Sequence, residues 1–352
     1  MRIAYVTETF PPEINGVALT SERTVRHLRA AGHAVQLLRP RQPGEAACRS
    51  AQEWRSAGGP IPMYPELRYG WAGIATSADF RTNFHAYCSH YGFGWLESIV
   101  LGYLRRVHGM ADINFVPTPE LADQLAAHGF ERLRVLGRGV DSRLFSPERR
   151  DAGLRHDWRV GADHRVLLHV GRLAPEKNAS LALQTFERLS ARRPGLRMVV
   201  VGDGPMRARL ERAHPTVRFV GMQTGTALAR HYASADVFLF PSLTDTFGNV
   251  TLEALSSGLA VAAFDTGAAG QHVRDGVNGC VAPPCNGLDA SDAFLGAATR
   301  ALDASAPDGP LRQQARLSAI QADWGTVQRR FEQQLLQLAV AGRTAPRHAA
   351  LA

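Results

Sequence analysis

The chain has 352 residues, 45% of them hydrophobic and 20% charged. That is enough for two cores of roughly 150 to 180 residues each and excludes a disordered or low-complexity protein. A formal charge of +8 asks for a polyanionic partner, be it nucleic acid, an acidic membrane face or a phosphorylated small molecule. The arginines are scattered and show no zinc-finger spacing or aromatic-basic signature, which sets nucleic acid aside.

The opening run Arg2 to Val6 predicts a strand, followed by the loop Pro11-Pro12-Glu13-Ile14-Asn15-Gly16-Val17 and a helical pattern through Leu28. The next apolar run, Ala34 to Leu38, completes a βαβ unit and implies a parallel sheet. The N-terminus turns acidic and Pro-rich too soon for a signal peptide, and no window reaches the ~18 to 20 apolar residues of a membrane span. From Pro40 to about Gly73 the sequence is rich in Pro, Gly and Arg and reads as a long loop or irregular excursion. Helical spacing returns at Trp95 to Val107, then a strand at Asp112 to Val116 and a helix at Pro119 to His128 with Thr118 as N-cap. The charged, turn-rich stretch Asp141 to Arg159 marks a domain boundary. Beyond it the alternation is cleaner, with strands at Val166 to Val170, Met198 to Val201, Val217 to Val220, Val237 to Phe240 and Leu259 to Phe264. This predicts a doubly wound α/β domain. The reading divides the chain into residues 1–145 and 155–322, an amphipathic helix over 323–341 with Trp324, Val327, Phe331, Leu335 and Leu338 on one face, and a frayed tail over 342–352. Four cysteines, Cys48, Cys88, Cys280 and Cys285, have neither metal spacing nor the density of a disulfide framework, so a reducing, cytoplasmic compartment is expected.

In an open α/β sheet, ligands bind beyond the carboxyl ends of the strands. The three loops there are basic (Arg172, Lys177), glycine-rich (Gly202, Gly204) and acidic (Asp245, Glu253). Of the 40 Lys and Arg residues only Lys177 is a lysine. An ammonium is a compact point charge suited to a phosphate oxygen, and Arg172 five positions earlier could reach the same diphosphate. The bland alternative is two solvated surface cations. Gly202 and Gly204 fit either a backbone approached by a ligand or a tight turn, and Gly16 fits either a phosphate contact or a turn. Asp245 and Glu253 flank Phe247-Gly248-Asn249, where a helix is predicted to begin. Carboxylates accept hydrogen bonds from sugar hydroxyls; the alternative is a loop Asp and a helix-start Glu favoured by the macrodipole.

Together these passages, with Gly139-Val140-Asp141 and Phe145, resemble retaining glycosyltransferases of the GT-B fold, family four, which includes bacterial GDP-mannose-dependent α-mannosyltransferases. The resemblance covers nearly the whole chain. It implies two Rossmann-like domains facing across a cleft, the second holding most of a nucleotide sugar. On it, Arg172 and Lys177 neutralise the donor diphosphate, Glu253 contacts the ribose, Asp245 with Phe247, Gly248 and Asn249 faces the transferred sugar, and Gly16 approaches from the first domain. No metal or other cofactor is implied, because cations and helix N-termini stabilise the departing diphosphate. There are three departures. Asp245 stands where the family usually has Glu. Arg81 stands where many relatives carry histidine, with His85 as substitute or packed residue. The first domain also lacks about one βαβ unit near 70–73, on the order of 30 residues.

The expectation is therefore a cytoplasmic retaining hexosyltransferase, moving mannose from GDP-mannose to a lipid or saccharide hydroxyl, with peripheral contact to an acidic membrane face and no nucleic-acid partner. Two rivals follow from other classes: a weakened nucleotide-sugar binder, and a sugar-nucleotide epimerase on a similar fold.

Overall fold

The protein is represented by a computed structural model that describes residues 1–7, 9–13, 16–41, 45–56, 58–61, 64–70, 77–79, 97–109, 111–161, 163–243, 248–285 and 288–344. It forms two compact units, one of residues 1–88, 93–136 and 327–352, the other of 89–92 and 137–326.

In the first unit β1 (Arg2–Val6) leads through a loop into α1 (Gly16–Ala30) and on to β2 (Ala34–Pro40), and the two strands pair in parallel. The stretch expected to be a loop carries further strands. β3 (Glu53–Ser56) extends the sheet in parallel beside β2, and β4 (Gly58–Ile61) pairs antiparallel with β5 (Tyr64–Gly70). β3 escapes apolar pattern reading because its charges are paired rather than hidden: Glu53 accepts from Arg39 and Arg55, each at 2.9 Å. β6 (Ser77–Asp79), α2 (Glu97–Gly109), β7 (Ile113–Val116), α3 (Pro119–Ala127) and β8 (Leu133–Val135) follow, with β6, β7 and β8 in a second parallel sheet. Thr118 caps α3 as expected, accepting from Leu121 N at 3.1 Å.

The second unit opens with the short α4 (Ala152–Asp157). Its sheet consists of β9 (Arg165–Val170), β10 (Leu196–Val201), β11 (Arg218–Phe219), β12 (Val237–Phe240), β13 (Ala260–Phe264) and β14 (Cys280–Ala282). The strands are parallel in the order β11-β10-β9-β12-β13-β14, that of a doubly wound Rossmann sheet. Alternate residues serve opposite faces. Leu167, Met198, Val200, Leu239 and Ala262 pack with α5 (Ala179–Ser190), α6 (Arg207–Ala213) and α10 (Leu288–Asp303). Val166, Leu168, Val199, Phe238 and Val261 pack with α7 (Gly225–Ser234), α8 (Asn249–Ser256), α9 (Gly267–His272) and α11 (Pro310–Gln321). Burial on both faces is why these strands read as apolar runs.

At the amino end of that sheet, Asp236, 1% exposed, gathers three guanidinium groups. It accepts from Arg150 at 2.9 Å, Arg155 at 3.1 Å and Val166 N at 2.8 Å, with Arg312 at 3.5 Å. This fixes β12 against β9 at the end opposite the ligand-binding loops.

The chain closes with α12 (Trp324–Thr344). From Val327 onward this helix belongs to the first unit. Phe331 stacks edge-on with Phe115 at 5.2 Å, joining a core of Val25, Leu28, Val35 and Leu37. Glu332 accepts from His27 and His33, each Nε2 at 3.0 Å, and these bonds, the His27 one foremost, hold its carboxyl below the usual range. Residues 345–352, most of the expected tail, lie outside the described residues.

Candidate functional site

β9 and β12 are neighbours that lead to opposite wings of the sheet, so the crevice between their carboxyl ends is the topological switch point, where doubly wound sheets bind ligands. After β9 the chain passes through Gly171 to the exposed Arg172 and then buries Leu173 completely. A single 3₁₀ turn, Pro175–Lys177, leaves Lys177 half-buried, and Asn178, at φ 51°, redirects the chain into α5.

Two hydrogen bonds tie this turn to the loop after β12. Asn178 Nδ2 donates to Pro241 O and Ser242 Oγ to Glu176 O, both at 3.3 Å. Lys177, between Glu176 and Asn178, is therefore held against the root of the acidic loop although more than sixty residues separate the two segments. Neither Asn178 nor Ser242 had been singled out from the sequence.

The glycine-rich loop after β10 has a different role from the ligand contact entertained above. Gly202 N donates to Gly221 O at 2.8 Å, and a Cβ on Gly202 would lie 1.9 Å from Gly171 O. A Cβ on Gly204 would lie 2.5 Å from Leu173 O, while Leu173 N donates to Asp203 O at 2.8 Å. These glycines let two backbones touch, so they shape the Arg172 loop from behind. Beside them, the Gly204 N–H and then Arg207 hold the Asp203 carboxyl below its usual range.

On the other side of the crevice α8 starts at Gly248, whose φ of 80° suits glycine and whose position carries no capping side chain. Asn249 is half-buried, yet its Oδ1 is buried without a hydrogen-bond partner, as is Thr251 Oγ1. Glu253, one turn further, accepts from the phenol of Tyr232 on α7 at 3.0 Å. Tyr232 has no exposed surface. Burial, and then the negative charge of Glu253, push its hydroxyl well above its ordinary value of 10.0.

Of the residues expected to form the site, Arg172, Lys177, Gly248, Asn249 and Glu253 thus sit on the two loops flanking the switch point, and Gly16 begins α1 in the first unit. Asp245, Phe247, Arg81 and His85 lie outside the described residues. Tyr232 had been missed; a hydroxyl on a core-facing helix position needs a polar partner, and that was the available signal. Among the described residues no cluster of three or more His, Cys, Asp and Glu side chains is arranged to hold a metal ion. No helix there is long and apolar enough to cross a membrane.

The first unit has a cavity of about 360 Å³ lined by Phe10, Leu37, Arg39, Glu45, Glu53 and Arg55, among others. Arg39, one of the lining residues, donates to Glu45 at 2.7 Å and to Glu53 at 2.9 Å.

The two α/β units with their parallel sheets have the GT-B fold, as the structural neighbours show. Residues 164–303 match the family described as glycosyl transferases group 1, and the chain belongs to that family. It is 34% identical over 310 residues to a GDP-mannose-dependent alpha-mannosyltransferase of Mycolicibacterium smegmatis, covering 76% of this chain and 80% of the relative. A protein of the same description from Mycobacterium tuberculosis is 32% identical over the same length, with the same coverage. The 310 aligned residues exceed the 76% of this chain that they span, so the M. smegmatis relative carries internal residues that this chain lacks. The fold matches sucrose-phosphate synthase from Thermosynechococcus elongatus with a TM-score of 0.70 at 20% identity, covering 97% of this chain and 99% of the other.

Proposed function

We propose that this glycosyltransferase moves mannose from GDP-mannose to a hydroxyl acceptor with retention at the anomeric carbon. The observation that carries the reading is the stapling of the Lys177 turn to the loop entering α8. It supports reading the Lys177 turn and the loop that leads to Glu253 as one site, with cations for a diphosphate and a carboxylate for a sugar hydroxyl. The mannose and guanine assignments rest on the names of relatives that this chain matches over most of its length.

Arg172 and Lys177 neutralise the diphosphate, with the N-terminal amides of α8 as a further anion site. Glu253 takes the ribose hydroxyls, and Asp245 with Phe247, Gly248 and Asn249 meets the transferred sugar. The acceptor oxygen attacks the anomeric carbon from the face that diphosphate leaves. The bond to the diphosphate oxygen breaks, and a phosphate oxygen receives the acceptor proton. Charge grows on the diphosphate in the transition state, so fixed cations lower the barrier more than they tighten ground-state binding. On this reading no metal is required. Gly16 and the Arg81–His85 segment serve the first-domain side of the reaction. The acceptor is a lipid or a saccharide, and the net charge of +8 suits a lipid presented at an acidic membrane face.

The test is a donor panel of GDP, UDP and ADP sugars with lipid and saccharide acceptors, read by mass spectrometry. A mannosylated product from GDP-mannose alone supports the reading, and transfer only from another donor overturns the sugar assignment. A second reading, a donor binder that no longer transfers, is favoured by the internal residues that the M. smegmatis relative has and this chain lacks. Calorimetric donor binding without transfer or hydrolysis would select it.

A further inference from the structure

We propose that Tyr232 is a positioning residue of the donor site: its phenol holds the Glu253 carboxylate in the rotamer that receives the ribose hydroxyls of the nucleotide. The inference rests on the reading that Glu253 binds the ribose. Tyr232 lies on α7, outside the loops that flank the crevice, and it touches the donor only through Glu253.

The geometry leaves this phenol little choice. Its ring is wedged edge-on against Phe145 at 5.6 Å and tilted against Phe238 at 5.7 Å. With no exposed surface it has no access to bulk water, and the 3.0 Å bond to Glu253 Oε2 supplies its hydroxyl with an acceptor. A buried hydroxyl left without a partner is costly, so the core itself enforces the contact. Burial raises the phenol's pKa, so it remains a proton donor across the working pH range. Glu253 is half-buried, and its Oε2 is the oxygen bonded to the phenol. A long acidic side chain at a helix surface otherwise samples several rotamers and must surrender them when a ligand binds. Tyr232 removes that cost in advance, which is preorganisation in the ordinary sense.

A purely structural tyrosine makes a different prediction from a positioning one, and the ligand separates them. Tyr232→Phe keeps the ring and removes only the hydroxyl. Calorimetry with GDP and with 2′,3′-dideoxy-GDP, which lacks the ribose hydroxyls, gives two dissociation constants for each protein. Tyr232→Phe is expected to weaken GDP by up to about tenfold, the cost of ordering one rotamer-rich side chain on binding, and to leave dideoxy-GDP within about twofold of wild type. Equal losses for both ligands, or none for either, overturn the proposal.

Glu253→Ala separates the underlying reading from the inference. If it leaves the preference for GDP over dideoxy-GDP intact, the ribose assignment itself fails. If it abolishes that preference while Tyr232→Phe preserves it, the ribose assignment stands and the positioning role falls. Thermal melts establish folding. Glu253→Asp gives a second variant with the core phenol intact, because it keeps the charge but draws the carboxylate one methylene back. The same ribose-specific loss is expected, and an undiminished preference for GDP counts against the proposal.

Discussion

Replacing Gly202 by alanine places a methyl carbon 1.9 Å from Gly171 O and 2.9 Å from its carbonyl carbon, at a φ of +136° that side-chain-bearing residues rarely adopt. The atoms in the way are backbone, so no side chain can swing aside. The strained conformation costs about 1–3 kcal/mol and displacing packed atoms a further ~1–3 kcal/mol. The sum, roughly 2–6 kcal/mol, corresponds to a fall in Tm of roughly 5–20 °C for a unit of this size. Gly276→Ala is the internal comparison. Its φ is +72° but nothing lies within 4 Å of the added carbon, so only the left-handed conformation is charged, at ~1–2 kcal/mol. Urea denaturation followed by circular dichroism measures both. Gly202→Ala is expected to lose the more stability. It is also expected to lose activity per folded molecule, because Gly171 precedes Arg172 and must move. Equal destabilisation by the two variants would refute the claim that backbone contact between the loops sets the requirement for glycine.

Three further outcomes are expected. Lys177→Ala lowers kcat by about 10²–10³-fold with an unchanged melt, measured as release of nucleoside diphosphate; a loss smaller than about tenfold removes Lys177 from the transition state. Asp236→Ala leaves three guanidinium groups without their shared carboxylate, Arg312 among them at only 7% exposure. It costs ~3–5 kcal/mol in urea denaturation, and less than about 1 kcal/mol would show that the cluster is dispensable. Glu332→Gln weakens the attachment of α12 to α1 by about 1 kcal/mol at neutral pH. The Glu332 carboxyl is depressed in the folded state, so its contribution is complete above its ordinary value of 4.5 and disappears as pH falls through the lower folded value. The stability gap between wild type and variant is therefore expected to be full above 4.5, to narrow as pH falls below that value and to be closed beneath the lower folded value, in melts taken along a pH series. A constant gap would assign the effect to packing alone.

The second unit was legible because its strands are covered on both faces. Leu167 and Leu168 are buried on opposite sides of the sheet, so nothing polar interrupts β9, and the loops after such strands announce themselves by their charge. β3 to β5 were not, because pairing at a sheet edge depends on backbone groups while Glu53 and Arg55 satisfy each other locally. Gly202 and Gly204 had two readings, and only the proximity of residues thirty positions away decides between them. Tyr232 looked like any core aromatic; its partner is 21 positions on, beyond the reach of any helical period. The stripe on α12 showed an apolar face but not which surface it covers.

That last helix has a consequence for biosynthesis. Gln328 Nε2 donates to Thr24 Oγ1 across 304 positions, and Phe331 completes a core begun by Val25 and Leu28. Residues 137–326 of the second unit, by contrast, are contiguous in the chain. At ~5–20 residues per second on the ribosome, α1 waits roughly 15 to 60 seconds for its last packing partner. The unit made first is therefore finished last, and through that interval its apolar surface is open to chaperones.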